Sequence, residues 1–170
     1  MAAKKRIVMI IAFERFRDEE YSFPKEVFNK AGIDVTTASS KSGTATGKLG
    51  MKAKVDITLD QLKVADYNAV LFIGGPGSFD YYDNAECHKI AQETIKQNRI
   101  LGAICAGPGI LARAGVLKGK KATMFEDTGE LAKGGAVYTG QGVEIDGQII
   151  TATGPETAKA WGEAIVRALK

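Results

Sequence analysis

Short runs of hydrophobic residues alternate with amphipathic stretches along most of the chain. Three runs are continuous and rich in branched aliphatic residues, as expected of parallel strands buried on both faces. They cover residues 6–12, 69–73 and 100–104. Between them, apolar residues recur at helical spacing over residues 18–31 and 84–97. This alternation predicts an α/β fold with a mostly parallel sheet and helices on both faces.

The remaining segments continue the same pattern. We expect a strand over residues 33–38, a polar hairpin over 43–54 and a helix over 106–114. Four late strands are expected at residues 122–125, 136–139, 143–145 and 148–152, followed by a last helix over 156–169. Asp146-Gly147 is a strong hairpin turn. A chain of 170 residues without repeats or a linker fits one domain over residues 1–170.

Composition and charge narrow the class of protein. The 45% hydrophobic and 25% charged residues are typical of a globular protein. The net charge is only +3 and the basic residues are scattered, which argues against nucleic acid or a membrane surface as the main partner. The two cysteines have no paired spacing and no secretory segment is evident, so we expect a reducing cytoplasm. With His88 as the only histidine, neither a metal site nor a bound cofactor is expected.

The chemistry concentrates at Cys105, between a buried strand and a helix start. Small residues flank it, including Ala103, Ala106 and Gly107, and they leave room for a tight, strained turn. This pattern favours a nucleophile elbow, in which the backbone N–H after the nucleophile can bind an oxyanion. The helix N-terminus is expected to lower the pKa of the thiol. The alternative is a small buried cysteine at a strand end.

Two further segments follow neighbouring strands and belong at the same sheet edge. Gly74-Gly75-Pro76-Gly77 lacks the spacing of a phosphate-binding loop. Its glycines could let backbone N–H groups approach a substrate oxygen next to Cys105, and Gly75 would then supply a second oxyanion donor. The alternative is a plain turn. Four carboxylates follow the first strand, and one of them could reach Cys105; otherwise they are solvated residues at a helix N-terminus. These carboxylates are Glu14, Asp18, Glu19 and Glu20.

Several of these segments resemble the DJ-1/PfpI (ThiJ/PfpI) superfamily. The resemblance rests on Glu19-Glu20-Tyr21-Ser22-Phe23-Pro24, Gly74-Gly75-Pro76-Gly77 and Ala103-Ile104-Cys105-Ala106-Gly107-Pro108, in this order. It implies a flavodoxin-like sandwich that is usually a homodimer. It also implies Cys105 as nucleophile or redox centre, with Glu20 as its protonated partner and Gly75 and Ala106 as backbone donors.

The resemblance implies glyoxalase or deglycase chemistry on a small carbonyl compound. Members of the superfamily often carry a histidine where this chain has Ala106 or Phe125. A cysteine peptidase without a histidine lacks the usual acid for an amine leaving group, so peptidase activity is the weaker expectation. Glu14, Glu126 and Asp127 are candidates to replace the missing histidine as acid or base. A redox sensor or a chaperone-like protein with an oxidisable Cys105 remains the alternative to an enzyme.

Overall fold

A seven-stranded sheet forms the centre of this protein, and the computed structural model describes residues 3–170. In order across the sheet, the strands are β11 (Val143–Asp146), β12 (Ile149–Ala152), β8 (Ile100–Ile104), β7 (Ala69–Phe72), β1 (Arg6–Ile10), β3 (Asp34–Ser39) and β6 (Ile57–Thr58). All neighbours are parallel except β11 and β12, which form the antiparallel hairpin predicted at Asp146-Gly147. The prediction of three buried parallel strands is confirmed by β1, β7 and β8.

These three strands lie side by side and end together. Ile10 pairs with Phe72, and Phe72 pairs with Ala103, so the carboxyl ends of the strands meet at one edge of the sheet. The segments that follow them therefore converge, which is where ligands bind in open α/β sheets. Gly74 follows β7 and Cys105 follows β8 at this edge.

Two pairs of helices cover the sheet. α1 (Asp18–Lys30) packs against α5 (Ala158–Ala168) on one face, and α2 (Ala85–Lys96) packs against α3 (Pro108–Arg113) on the other. The Asn84 side chain caps α2 by accepting a hydrogen bond from the Cys87 N–H at 2.9 Å. The expected sandwich of helices and parallel strands is therefore confirmed.

Smaller elements surround this sandwich. The predicted polar hairpin is present as β4 (Gly43–Gly47) and β5 (Lys52–Val55), and a strand that sequence reasoning missed, β2 (Glu14–Phe16), pairs with it. A second small sheet joins β9 (Lys121–Ala122) to β10 (Val137–Tyr138), and a short helix, α4 (Glu130–Lys133), lies between them in the chain. Within residues 3–170, no helix has the length and apolar character that crossing a bilayer requires.

The strand predicted over residues 122–125 is wrong beyond Ala122. The Thr123 N–H donates to the Thr151 side chain at 3.0 Å, and the Phe125 N–H donates to the Cys105 carbonyl at 2.9 Å. Because these backbone donors bind a side chain and the elbow, the segment leaves the strand ladder and passes beside Cys105.

Candidate active site

Cys105 occupies a strained turn between β8 and α3. Its φ is +62°, in the left-handed region that costs a non-glycine residue of order 1 kcal/mol or more. The backbone holds this conformation from both sides: the Cys105 N–H donates to the Ala152 carbonyl and its carbonyl accepts from the Phe125 N–H, both at 2.9 Å. The strand, turn and helix of a nucleophile elbow are thus present, with the thiol half-buried.

Glu20 lies beside this thiol. It belongs to the first turn of α1, and its side chain is fully buried. Oε1 accepts the Gly74 N–H at 3.0 Å, while the buried Oε2 has no nitrogen or oxygen partner among the described residues. This carboxyl and the Cys105 thiol influence each other's pKa: the thiol lowers that of Glu20, and the carboxylate raises that of Cys105. Burial raises the pKa of Glu20 to about 7, although the contacts with Cys105 and Gly74 oppose this rise.

The expected lowering of the Cys105 thiol pKa is wrong. Burial, and then the negative charge of Glu20, raise the pKa of Cys105 to about 12. Glu20 therefore ionises at a lower pH than the Cys105 thiol does.

Both predicted backbone donors line the same cavity as Cys105. The backbone N–H groups of Gly75 and Ala106 favour the charged form of the thiol and so work against the rise in its pKa. Gly74 lets the two side chains meet, because a Cβ there would lie 2.7 Å from both the Cys105 Cβ and the Glu20 Oε1. Gly75 has a φ of +105° and packs directly under the backbone of Arg17, so a side chain has neither the conformation nor the space.

The other three carboxylates of the predicted cluster have different roles. The buried Asp18 accepts two backbone N–H groups from the β4–β5 turn, at 2.8 and 2.9 Å, and so anchors that hairpin. Glu19 pairs with the Arg17 guanidinium at 2.9 Å, and this contact lowers its pKa. Glu14 is exposed on β2. Of the four, Glu20 is the one whose carboxyl group meets Cys105.

The two late carboxylates considered as substitutes for the missing histidine lie in different places. Asp127 accepts the Gly129 N–H at 2.9 Å just before α4, whereas Glu126 lines the cavity that contains Cys105. Phe125, at the expected histidine position, lines the same cavity and is exposed. His88 lies in α2, where its Nε2 is 2.6 Å from a backbone carbonyl oxygen, so it is a packing residue.

A cavity of about 430 Å³ opens onto the Cys105 thiol. Sequence reasoning missed most of its charged and aromatic lining, since these residues come from separate segments and share no local motif. They include Arg17, Lys48, Phe79, Tyr82, Arg113 and Glu130. In the part of the chain that the structure describes, no three His, Cys, Asp or Glu side chains cluster as metal ligands would.

A family model, relatives and solved structures each match nearly the whole length of this chain. The model of the DJ-1/PfpI family matches residues 5–168. A deglycase of Pyrococcus horikoshii is 30% identical over 96% of this chain and 99% of its own. A glutathione-independent glyoxalase of Caenorhabditis elegans is 25% identical over 100% of this chain and 91% of its own. The crystal structure of a ThiJ/PfpI domain protein from Brachyspira murdochii matches with a TM-score of 0.96, at 30% identity over 98% of both chains.

Proposed function

This chain belongs to the DJ-1/PfpI family, and we propose that it is a cysteine-dependent enzyme that converts small oxoaldehydes to hydroxy acids. Relatives named deglycase and glyoxalase support enzyme activity at the level of the superfamily. One observation carries the finer proposal: the buried Glu20 oxygen without a nitrogen or oxygen partner lies beside a half-buried thiol that opens onto a cavity. A carboxylate in this place can take a proton from the thiol as the sulfur attacks.

The first step uses the proton that the pair shares. Between pH values of about 7 and about 12, Glu20 and Cys105 together hold one proton. Glu20 accepts the thiol proton while the sulfur bonds to the aldehyde carbon, and the carbonyl π electrons move to oxygen. The N–H groups of Gly75 and Ala106 favour negative charge on the sulfur, and we propose that they also stabilise the new oxyanion. Glu20 then delivers its proton to the new alkoxide, which gives a hemithioacetal.

The following steps return the site to its starting state. Glu20 removes the proton from the hemithioacetal carbon, and the electron pair moves to the neighbouring carbonyl to give an enediolate. The enediolate oxygen takes up the proton of the hemithioacetal hydroxyl and the neighbouring carbon takes up the proton from Glu20, which leaves a thioester of a 2-hydroxy acid. Water attacks the thioester, the carbon–sulfur bond breaks, and the thiol regains its proton. The sum is the addition of one water molecule to the dicarbonyl compound. No external oxidant or reductant is consumed.

The test follows lactate formation from methylglyoxal. We expect wild type to turn over, and Cys105→Ser and Glu20→Gln each to lose at least a hundredfold in kcat/KM, because each removes one member of the shared-proton pair. Cys87→Ser is the matched control and should keep its activity. Full activity in Glu20→Gln, with the fold intact by circular dichroism, would contradict the proposed proton carrier.

Redox sensing is the second candidate, and the two backbone N–H groups that favour a charged Cys105 support it. Oxidation to a sulfinate adds oxygen atoms that these donors and a protonated Glu20 can bind. If wild type fails to convert methylglyoxal yet Cys105 is oxidised stoichiometrically by dilute peroxide, this function replaces the enzymatic one.

The homodimer and the cytoplasmic location stay predictions. We propose both because dimers are usual in the family that the sequence resembles and because the chain keeps an accessible thiol free. Sedimentation of the purified protein measures the first, since a monomer at micromolar concentration would contradict it. Fractionation of the source cells measures the second.

A further inference from the structure

Two phenylalanine rings are exposed on the wall of the cavity that opens onto Cys105. Phe79 is 58% exposed and Phe125 is 49% exposed, and both line this cavity. A single exposed phenylalanine is common on a protein surface, but two that line one cavity leave apolar area in water where a ligand can cover it. The two rings therefore point to a site for an apolar group next to the thiol.

Contacts within the protein fix where each ring is attached. The Phe125 N–H donates to the Cys105 carbonyl at 2.9 Å, which ties this residue to the elbow. The Phe79 ring packs against the Tyr82 ring with their centres 4.9 Å apart, and Tyr82 is only 5% exposed. The two rings are thus anchored from two separate segments of the chain, and each still has an open side.

The rest of the cavity suits a ligand larger than methylglyoxal. Its apolar lining continues with Pro76, Tyr82, Met124 and Pro155. Its volume of about 430 Å³ lies in the range of about 300–1,000 Å³ that is usual for pockets of drug-sized ligands. A water molecule occupies about 30 Å³ in the liquid, and methylglyoxal has the volume of only a few water molecules. Methylglyoxal therefore leaves most of the cavity, with its exposed rings, in contact with water.

The charged side chains of the lining do not favour a ligand of either sign. The two arginines each pair with a carboxylate, at 2.9 Å for Arg17 and 2.8 Å for Arg113. The remaining charged residues, Lys48 and Glu126, carry opposite charges. The exposed rings are therefore the feature of this cavity that distinguishes one oxoaldehyde from another.

We propose that the Cys105 cavity selects oxoaldehydes that carry an aromatic ring, and that Phe79 and Phe125 are the residues that contact this ring. Aromatic rings pack offset or edge to face, and such contacts add to the gain from burying apolar area. The reaction itself rests on the proposed function: phenylglyoxal and one water molecule give mandelate by the same steps. Binding of an aromatic group next to the sulfur does not depend on those steps.

The first measurement needs no turnover. Iodoacetamide and 2-iodo-N-phenylacetamide carry the same reactive iodoacetyl group, and only the second carries a phenyl ring. Each rate of Cys105 alkylation is divided by the rate of the same reagent with free cysteine, and the ratio of the two quotients is the phenyl preference. We expect a preference of about tenfold or more in wild type. Phe79→Ala and Phe125→Ala should each lower it about threefold to tenfold.

Phe23→Ala is the matched control. Phe23 is also an exposed phenylalanine, at 45%, but it lies in α1 and does not line the Cys105 cavity. All three substitutions remove an exposed ring and should leave the fold intact by circular dichroism. The phenyl preference should be unchanged in Phe23→Ala.

The second measurement is the ratio of kcat/KM for phenylglyoxal to that for methylglyoxal. This ratio should fall about threefold to tenfold in Phe79→Ala and Phe125→Ala and keep its wild-type value in Phe23→Ala. Comparing variants removes the difference in intrinsic reactivity between the two substrates.

Three outcomes separate the aromatic site from the proposed function. An alkylation preference that is equal in wild type and both cavity variants would overturn the aromatic site, even if methylglyoxal is converted normally. A cavity variant that changes a dimer into a monomer in sedimentation yet keeps the preference would also overturn it, because the rings would then belong to a subunit interface. If wild type converts neither oxoaldehyde but the cavity variants alone lose the preference, the proposed function fails and the aromatic site stands.

Discussion

Cys105 and Cys87 have similar thiol pKa values in very different surroundings. The pKa of each is raised to about 12, by burial first and then by a neighbouring carboxylate, which is Glu86 for Cys87 and Glu20 for Cys105. Cys87 is completely buried in α2, where burial is the main cause of the shift. Cys105 is half-buried, opens onto a cavity, and has Glu20 beside it and two backbone N–H groups that favour its charged form. The difference between the two cysteines therefore lies in access and in a neighbouring proton acceptor.

The turn at Cys105 does not leave the thiol with a lowered pKa. A lowered ground-state pKa was the expected source of reactivity. The structure instead places beside the thiol a carboxyl group whose pKa is about 7, and our proposal is that this group takes the thiol proton during attack. We expect such a thiol to remain protonated at rest and to become nucleophilic when a substrate is bound.

The largest expected effect is on labelling. Iodoacetamide should modify Cys105 at least a hundredfold faster than Cys87 in the native protein, because Cys87 must wait for an unfolding event that costs several kcal/mol. Mass spectrometry of tryptic peptides over time measures both rates in one sample. Labelling in Cys105→Ser should appear only after denaturant is added. Equal rates in the native protein would show that the elbow confers no advantage.

The second effect concerns the free energy of unfolding. Cys105 has the buried Glu20 carboxyl beside it, and the titration of this group should make the stability of the fold depend on pH. The pKa of Glu20 is about 7 in the folded protein and 4.5 in the reference state, so folding binds a proton between these values and stability falls as pH rises through this window. Relative to wild type, Glu20→Gln should gain stability from pH 4.5 to 8, by up to about 3 kcal/mol. Urea unfolding at several pH values measures the gain. A difference that does not change with pH would contradict a buried, titrating Glu20.

The smallest expected effect comes from adding a histidine. Phe125→His places an imidazole in the cavity beside Cys105, and methylglyoxal turnover should rise several-fold if proton transfer limits the rate. His88→Ala is the matched control next to Cys87 and should have no effect. Wild type should cleave unstructured peptides little or not at all. No gain in Phe125→His with an intact fold would count against proton transfer as the limiting step.

The sequence predicted best what depends on local pattern. Continuous aliphatic runs gave β1, β7 and β8, and the small residues around Cys105 gave the elbow, because a buried parallel strand and a tight turn each limit the residue types that fit. Glu20 was distinguished from its neighbours by the family resemblance alone. Four carboxylates in seven positions look alike until the tertiary structure shows which one is buried beside the thiol.

What the sequence did not predict depends on long-range contacts. The segment after Ala122 is apolar enough to be a strand, yet its N–H groups bind the elbow and Thr151. Tyr82 meets Ala106 across 24 positions of the chain, and no local periodicity signals such a contact. The direction of the Cys105 pKa shift also depends on burial, which the flanking residues do not reveal.

The positive φ of Cys105 has a consequence for protein engineering. Glycine would occupy this conformation without strain, so a design procedure that rewarded only thermal stability would tend to select glycine at position 105. The fold gives up part of its stability to keep a sulfur atom at the sheet edge. Stabilised variants of this chain should therefore be obtained at positions away from the elbow, with Cys105 held fixed during selection.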